Sequence, residues 1–227
     1  MSTKANAPKA PKAPDAPRPL RADAERNRQL LLDAAKELFA ERGLHVSLDD
    51  IAKRAGVGVG TAYRRFSSRS ELIEALFDER IDQMVELGER CLEIEDPWEG
   101  LVAFIERSTE LQSSDRGLKE ILLGSGEGKA KIGEIRERMR PIGSRLIERA
   151  KESGELRRDF TPQDLPMLQI MLGGVADASA TVDPGLWRRY LELLLIGMRA
   201  DGDCNRPPPE WEQMVEVLNC WRPPRRD

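Results

Sequence analysis

Along most of this chain apolar residues return every three to four positions, and no segment alternates as a half-buried strand would. Leu30, Leu31, Ala34, Ala35, Leu38 and Phe39 share one stripe, which predicts a helix over about 23–42, stopped by Gly43. Two short helices joined by a tight turn follow between 47 and 66, then longer ones over about 70–93 and 97–113. The pattern also admits a short helix over 116–123, closed by Gly124. Ile132, Ile135, Met139, Ile142, Leu146 and Ala150 predict a helix over 130–153. Pro141 must kink or split it, because proline lacks an amide hydrogen and clashes with the preceding turn. Thr161-Pro162-Gln163-Asp164 and Asp183-Pro184 are start signals for two more helices. The predicted fold class is all-α.

The segment 47–71 is the most informative. Ser47 with Asp50, and Ser68 with Glu71, fit the capping pattern in which a hydroxyl satisfies orphan amides at a helix start. Asp96-Pro97-Trp98-Glu99 supplies an N-cap, a first-turn proline and an acid for the next helix. Ala52 and Gly56, four apart, permit close helix approach and a left-handed exit. Between Ile51 and Ser70 every charged residue is basic: Lys53, Arg54, Arg64, Arg65 and Arg69. Such a helix pair, exposing Thr, Tyr and paired Arg, suits phosphate contact and the major groove. Plain helix packing with solvated arginines remains the competing reading of the residues alone.

Bulk properties narrow the picture. A chain of 227 residues can hold one large domain or two small ones. A net charge of −4 gives no global attraction to nucleic acid, so any DNA affinity must be local. The absence of a long apolar run predicts no membrane span, and the Ala/Pro/Lys-rich start lacks a signal core. Three cysteines without C-x-x-C pairing favour a reduced, cytoplasmic location. Four units are expected: a disordered Ala/Pro/Lys-rich arm (1–19), a helix-turn-helix domain (20–69), a helical regulatory and dimerisation domain (70–200) and an extension with a short helix (201–227).

Other chemistry finds little support. Gly124-Ser125-Gly126-Glu127-Gly128-Lys129 has the wrong spacing for a phosphate loop and no Ser or Thr after the lysine. One histidine and three scattered cysteines assemble no zinc set, and no nucleophile elbow is present. Neither enzyme activity nor a cofactor or metal is expected. The stretches 165–175 and 186–198 are apolar around most of their circumference. Helices of that kind must be buried on all sides, by a partner subunit or at the centre of a monomeric bundle. Asp177 interrupts the first of them. It serves either to anchor a polar ligand group or to mark an exposed stripe.

The chain also resembles a known family. Ile51-Ala52-Lys53-Arg54-Ala55-Gly56-Val57, Gly60-Thr61-Ala62-Tyr63-Arg64-Arg65-Phe66 and Arg69-Ser70-Glu71-Leu72 are similar to the N-terminal domain of tetracycline-repressor (TetR) family regulators. Leu38-Phe39-Ala40-Glu41-Arg42-Gly43 and Leu48-Asp49-Asp50 fit as well, while Gly58-Val59 lacks the polar or basic residue many members carry there. Less specifically, 154–200 is similar to the C-terminal domain of some actinobacterial-type members.

The resemblance implies a homodimeric transcriptional regulator, a repressor on a palindromic double-stranded DNA operator, released by an unidentified small-molecule effector. In it Thr61, Tyr63, Arg65 and Arg69 hold phosphates, Ser47 adds a helix contact, and Arg64 with Thr61 and the backbone at Gly60 meets base edges. Pairing runs through the last two long helices, with Leu168, Leu172, Trp187, Tyr190, Leu191 and Leu194 as interface residues. Phe104, Met139, Met167, Met171 and Asp177 are the expected pocket lining. The alternative of another class is a helical binding or scaffolding protein that does not read DNA.

Overall fold

The computed structural model describes residues 18–42, 46–113, 126–199 and 206–220. Its helices are α1 (Arg18–Arg42), α2 (Leu48–Ala55), α3 (Val59–Arg65), α4 (Arg69–Leu92), α5 (Pro97–Ser113), α6 (Gly126–Glu152), α7 (Asp164–Ser179), α8 (Trp187–Met198) and α9 (Trp211–Cys220). Among the described residues the β-structure amounts to one isolated antiparallel bridge between Leu156 and Arg199. The fold is all-α, as the periodicity requires. No helix of the described residues is long and apolar enough to cross a membrane.

Helix α1 begins at Arg18, five residues before the expected start near 23, with Pro19 tolerated in a first turn that has no amide partner to lose. The rest of the expected arm, residues 1–17, lies outside the described residues, as does the short helix expected over 116–123. Within α1 the buried stripe is Leu31, Leu32, Ala34, Ala35, Leu38 and Phe39; Leu30 faces solvent instead. Pro141 does not split α6, which continues through it to Glu152.

Two apolar cores organise the molecule. The first gathers α1, α2, α3 and the first half of α4 around Leu31, Leu38, Ile51, Leu72 and Phe77. The second joins the end of α4 to α5, α6, α7 and α8 around Leu101, Ile105, Leu146, Leu172 and Trp187. Helix α4 therefore belongs to both, and the change from one core to the other falls between Phe77 and Leu87 rather than at the start of the helix. Where α4 crosses α6, a Cβ on Gly88 would lie 2.5 Å from Ile142 Cγ2, so the close approach requires glycine. Arg149 on α6 reaches back to donate to the carbonyls of Leu92 and Ile94, clasping the turn after α4.

Start signals are satisfied locally. Asp96 Oδ1 accepts from the Trp98 and Glu99 amides at 2.8 and 3.0 Å, as its N-cap position predicts. At α7 the regular helix begins at Asp164, later than the motif suggests. Even so, the Asp164 carboxylate accepts from the amide and hydroxyl of Thr161, which is half of a capping box one turn upstream. Asp183 holds the Gly185 amide in a turn, and α8 starts only at Trp187.

Candidate nucleic-acid interface and regulatory half

Helix α2 is fixed at both ends. Ser47 Oγ accepts from the Asp50 amide at 3.1 Å, and the Asp50 carboxylate accepts from the Ser47 amide at 3.1 Å, completing the box. The Ser47 hydroxyl, donating to the same carboxylate at 2.5 Å, and then the Ser47 amide hold the Asp50 carboxyl below its ordinary range. At the other end Gly56 adopts φ 66°, ψ 22°, a left-handed exit in which the Val57 amide donates back to Ala52 O at 3.0 Å. Val57, nearly buried, turns the chain into α3. Ala52 and Ala62 are wholly buried, and these small side chains let α2 and α3 pack closely in the first core.

On α3, Ala62 faces inward and Phe66 closes the helix in the core, while Val59, Gly60, Tyr63 and Arg64 are exposed. No heavy atom would lie within 4 Å of a Cβ placed on Gly60. Arg64 NH2 donates to Thr61 Oγ1 at 3.1 Å, which draws the guanidinium back over the outer face. Tyr63 donates to Asp49 on α2, a bond that keeps its hydroxyl above the usual phenol range.

With Tyr63 held by Asp49, three more of the expected phosphate ligands are engaged by the protein itself. Ser47 belongs to the capping box. Arg65 NH2 lies 3.1 Å from Glu25 on α1. Arg69 Nε donates to Val46 O at 3.0 Å, and its guanidinium stacks 5.5 Å from the Phe39 ring centroid. Arg69 is therefore an anchor between α1, the approach to α2 and α4, a role beyond the phosphate contact expected of it. Arg54 is likewise held, at 3.1 and 2.7 Å from Glu37 and Glu41. Arg64 differs, because its partner is a neutral hydroxyl. Lys53, exposed on α2, joins it on the basic surface.

In the regulatory half the expected pocket lining is dispersed. Phe104 is buried in the second core, Met139 and Met167 are half-buried, and Met171 is half exposed. Asp177 is half-buried and has an interaction partner. None of the five borders the open-sided groove of about 490 Å³ that runs along α4 and α5. Its walls are Gln83, Glu86, Arg90, Arg107 and Glu110 with Leu87 and Leu111, a largely polar set that an apolar-lining argument passes over. The second core also holds a polar seam: Ser108 and Thr109 are buried, and Gln169 Nε2 donates to Ser108 Oγ at 2.8 Å.

Four of the six expected interface residues lie inside the second core. Leu168, Leu172, Trp187 and Leu191 are at most 7% exposed, buried in the protomer's own core. Leu194 is half-buried and Tyr190 exposed. The apolar side chains left uncovered on α7 and α8 include Met171 at 50%, Leu193 at 52% and Ile196 at 72%. Apolar circumference alone gives no means of telling these two stripes apart.

A capped helix pair with an open, basic second helix, joined through a shared helix to a second helical core, defines a helix-turn-helix DNA-binding regulator. Residues 31–76 match the family described as bacterial regulatory proteins, tetR family, and residues 96–200 match the SbtR-like transcriptional regulator C-terminal domain. The chain is 30% identical over 158 residues to the fatty acid metabolism regulator protein of Bacillus subtilis, covering 66% of this chain and 80% of that one. It is 44% identical over 82 residues to the HTH-type transcriptional regulator SAR0097 of Staphylococcus aureus, covering 35% of this chain but only 39% of that protein. Its fold is also similar to that of the regulator FadR from Bacillus subtilis, solved in complex with stearoyl-CoA, with a TM-score of 0.62, 26% identity and coverage of 75% and 98%. The chain belongs to the TetR family of bacterial transcription regulators.

Proposed function

We propose that the protein is a homodimeric repressor that binds a two-fold symmetric operator through α3 and is released by a small-molecule effector. The observation that carries the reading is the pairing of two uncovered surfaces on one chain. The outer face of α3 presents Gly60, Tyr63 and Arg64 to solvent, and α7 and α8 leave Met171, Tyr190, Leu193 and Ile196 without cover. An apolar face of that kind calls for an isologous partner, and a two-fold dimer presents two copies of α3 to successive major grooves. Thr61, Tyr63 and Lys53 supply phosphate contacts, and Arg64 reads base edges. The effector site lies in the second core and along the α4–α5 groove. A ligand that fits better when α4 is displaced lowers DNA affinity by its differential binding to the two arrangements. The relative solved with stearoyl-CoA supports a small-molecule effector as a class.

The test is retardation of a fragment from the region upstream of the protein's own gene, measured across a salt series against a scrambled duplex of equal length. Selective binding that weakens steeply with salt is expected. Equal, weak affinity for every duplex would contradict the reading.

A further inference from the structure

Val59, the first residue of α3, is one of the large apolar side chains left exposed on the protein, at 43%. The inward role at this turn is filled by Val57 and Ala62. Val59 and Tyr63 stand one turn apart on one flank of α3, and the bare surface of Gly60 lies beside them, with nothing within 4 Å of its Cβ position. Arg64, drawn toward Thr61, projects over the same surface. The outer face of α3 thus combines one guanidinium, a gap that admits a base pair against the backbone, and one isopropyl group. In the major groove the apolar feature on a base edge is the C5-methyl of thymine.

We infer that Val59 is a specificity-determining residue that packs against a thymine methyl in each half-site, next to the base met by Arg64. The inference rests on the operator reading above. It commits the surface to duplex DNA, since the neighbouring cations Lys53 and Arg64 complement phosphate.

The probe is the promoter fragment prepared with deoxyuridine in place of thymidine, which deletes every C5-methyl and leaves base pairing intact. Single replacements within the protected region then follow. Burial of one methyl predicts roughly three- to fivefold weaker binding for each methyl removed, hence roughly ten- to twenty-five-fold when the position is replaced in both half-sites. Val59→Ala, an exposed substitution with helicity checked by circular dichroism, should bind the thymine and deoxyuridine fragments alike at that position. Val59→Ile should retain the discrimination. Tight, selective binding that ignores the loss of methyls, or a methyl effect unchanged in Val59→Ala, overturns the inference while leaving the operator reading intact. Failure of the unmodified fragment to bind selectively overturns both.

Discussion

At the scale of single residues, basic side chains that look alike in the sequence divide into anchors and contacts. Arg69 and Arg54 hold helices together, whereas Arg64 is tethered only to a neighbouring threonine. Arg69→Ala should lower stability by about 1–3 kcal/mol, seen as a drop in the thermal midpoint, because it removes a charge-assisted bond to Val46 O. Arg64→Ala should leave the midpoint unchanged and relax sequence preference by about 1–3 kcal/mol between cognate and mismatched half-sites. Equal loss on all sequences would remove Arg64 from base reading. Protonation acts at the same scale. Asp50, Glu71 and Glu41 are held below their ordinary values of 3.8 and 4.5, chiefly by Ser47, Ser67 and Arg54. A depressed folded pKa contributes stability fully above the ordinary value and loses it as pH falls through the lowered one. Hydrogen-exchange protection in 46–72, corrected for the intrinsic exchange rate at each pH, should therefore fall below about pH 4 before that of the second core, whose helices are joined mainly by apolar contacts.

At the scale of elements, what the sequence reveals is what neighbours within four residues decide. The box at Ser47/Asp50, the Ser68 and Asp96 caps and the left-handed Gly56 were legible because donor and acceptor sit in one turn, although the Glu71 carboxylate takes the amide and hydroxyl of Ser67 rather than the Ser68 amide. The start of α1 and the partners of Arg65 and Arg69 were not, since Glu25 and Val46 lie 40 and 23 residues away and only the packed fold brings them close. The two glycines of the helix pair should respond in opposite ways. Gly56→Ala, at positive φ, should cost about 1–2 kcal/mol of stability. Gly60→Ala should be neutral or stabilising by up to about 1 kcal/mol, because its Cβ meets open space, yet should weaken operator binding. A Gly60→Ala variant with unchanged affinity would move the groove contact off the outer face of α3.

At the scale of the whole molecule, α4 is shared by the first core and the second. Lys36 to Glu79 at 3.0 Å and Arg138 to Asp82 at 2.8 Å tie its middle to α1 and α6. The uncovered apolar face of α7 and α8 was only half legible. An all-round apolar helix announces that something must cover it, but the division between the protomer's own core and a partner is settled by tertiary packing. Leu193→Glu or Ile196→Glu, each exposed in the protomer, should leave it helical and shift it to monomers in sedimentation velocity. An unpaired charge in such an interface costs on the order of 3–5 kcal/mol. Operator binding should fall with the dimer, since each half-site alone is weakly held. The most direct test of the whole account is a footprint of the protein on its own promoter region, combined with the stoichiometry of the complex. Two protomers should protect two symmetric half-sites whose centres lie about 34–36 Å apart, or a multiple of that, along one face of the duplex. A single protomer on one site, or protection without symmetry, would contradict it.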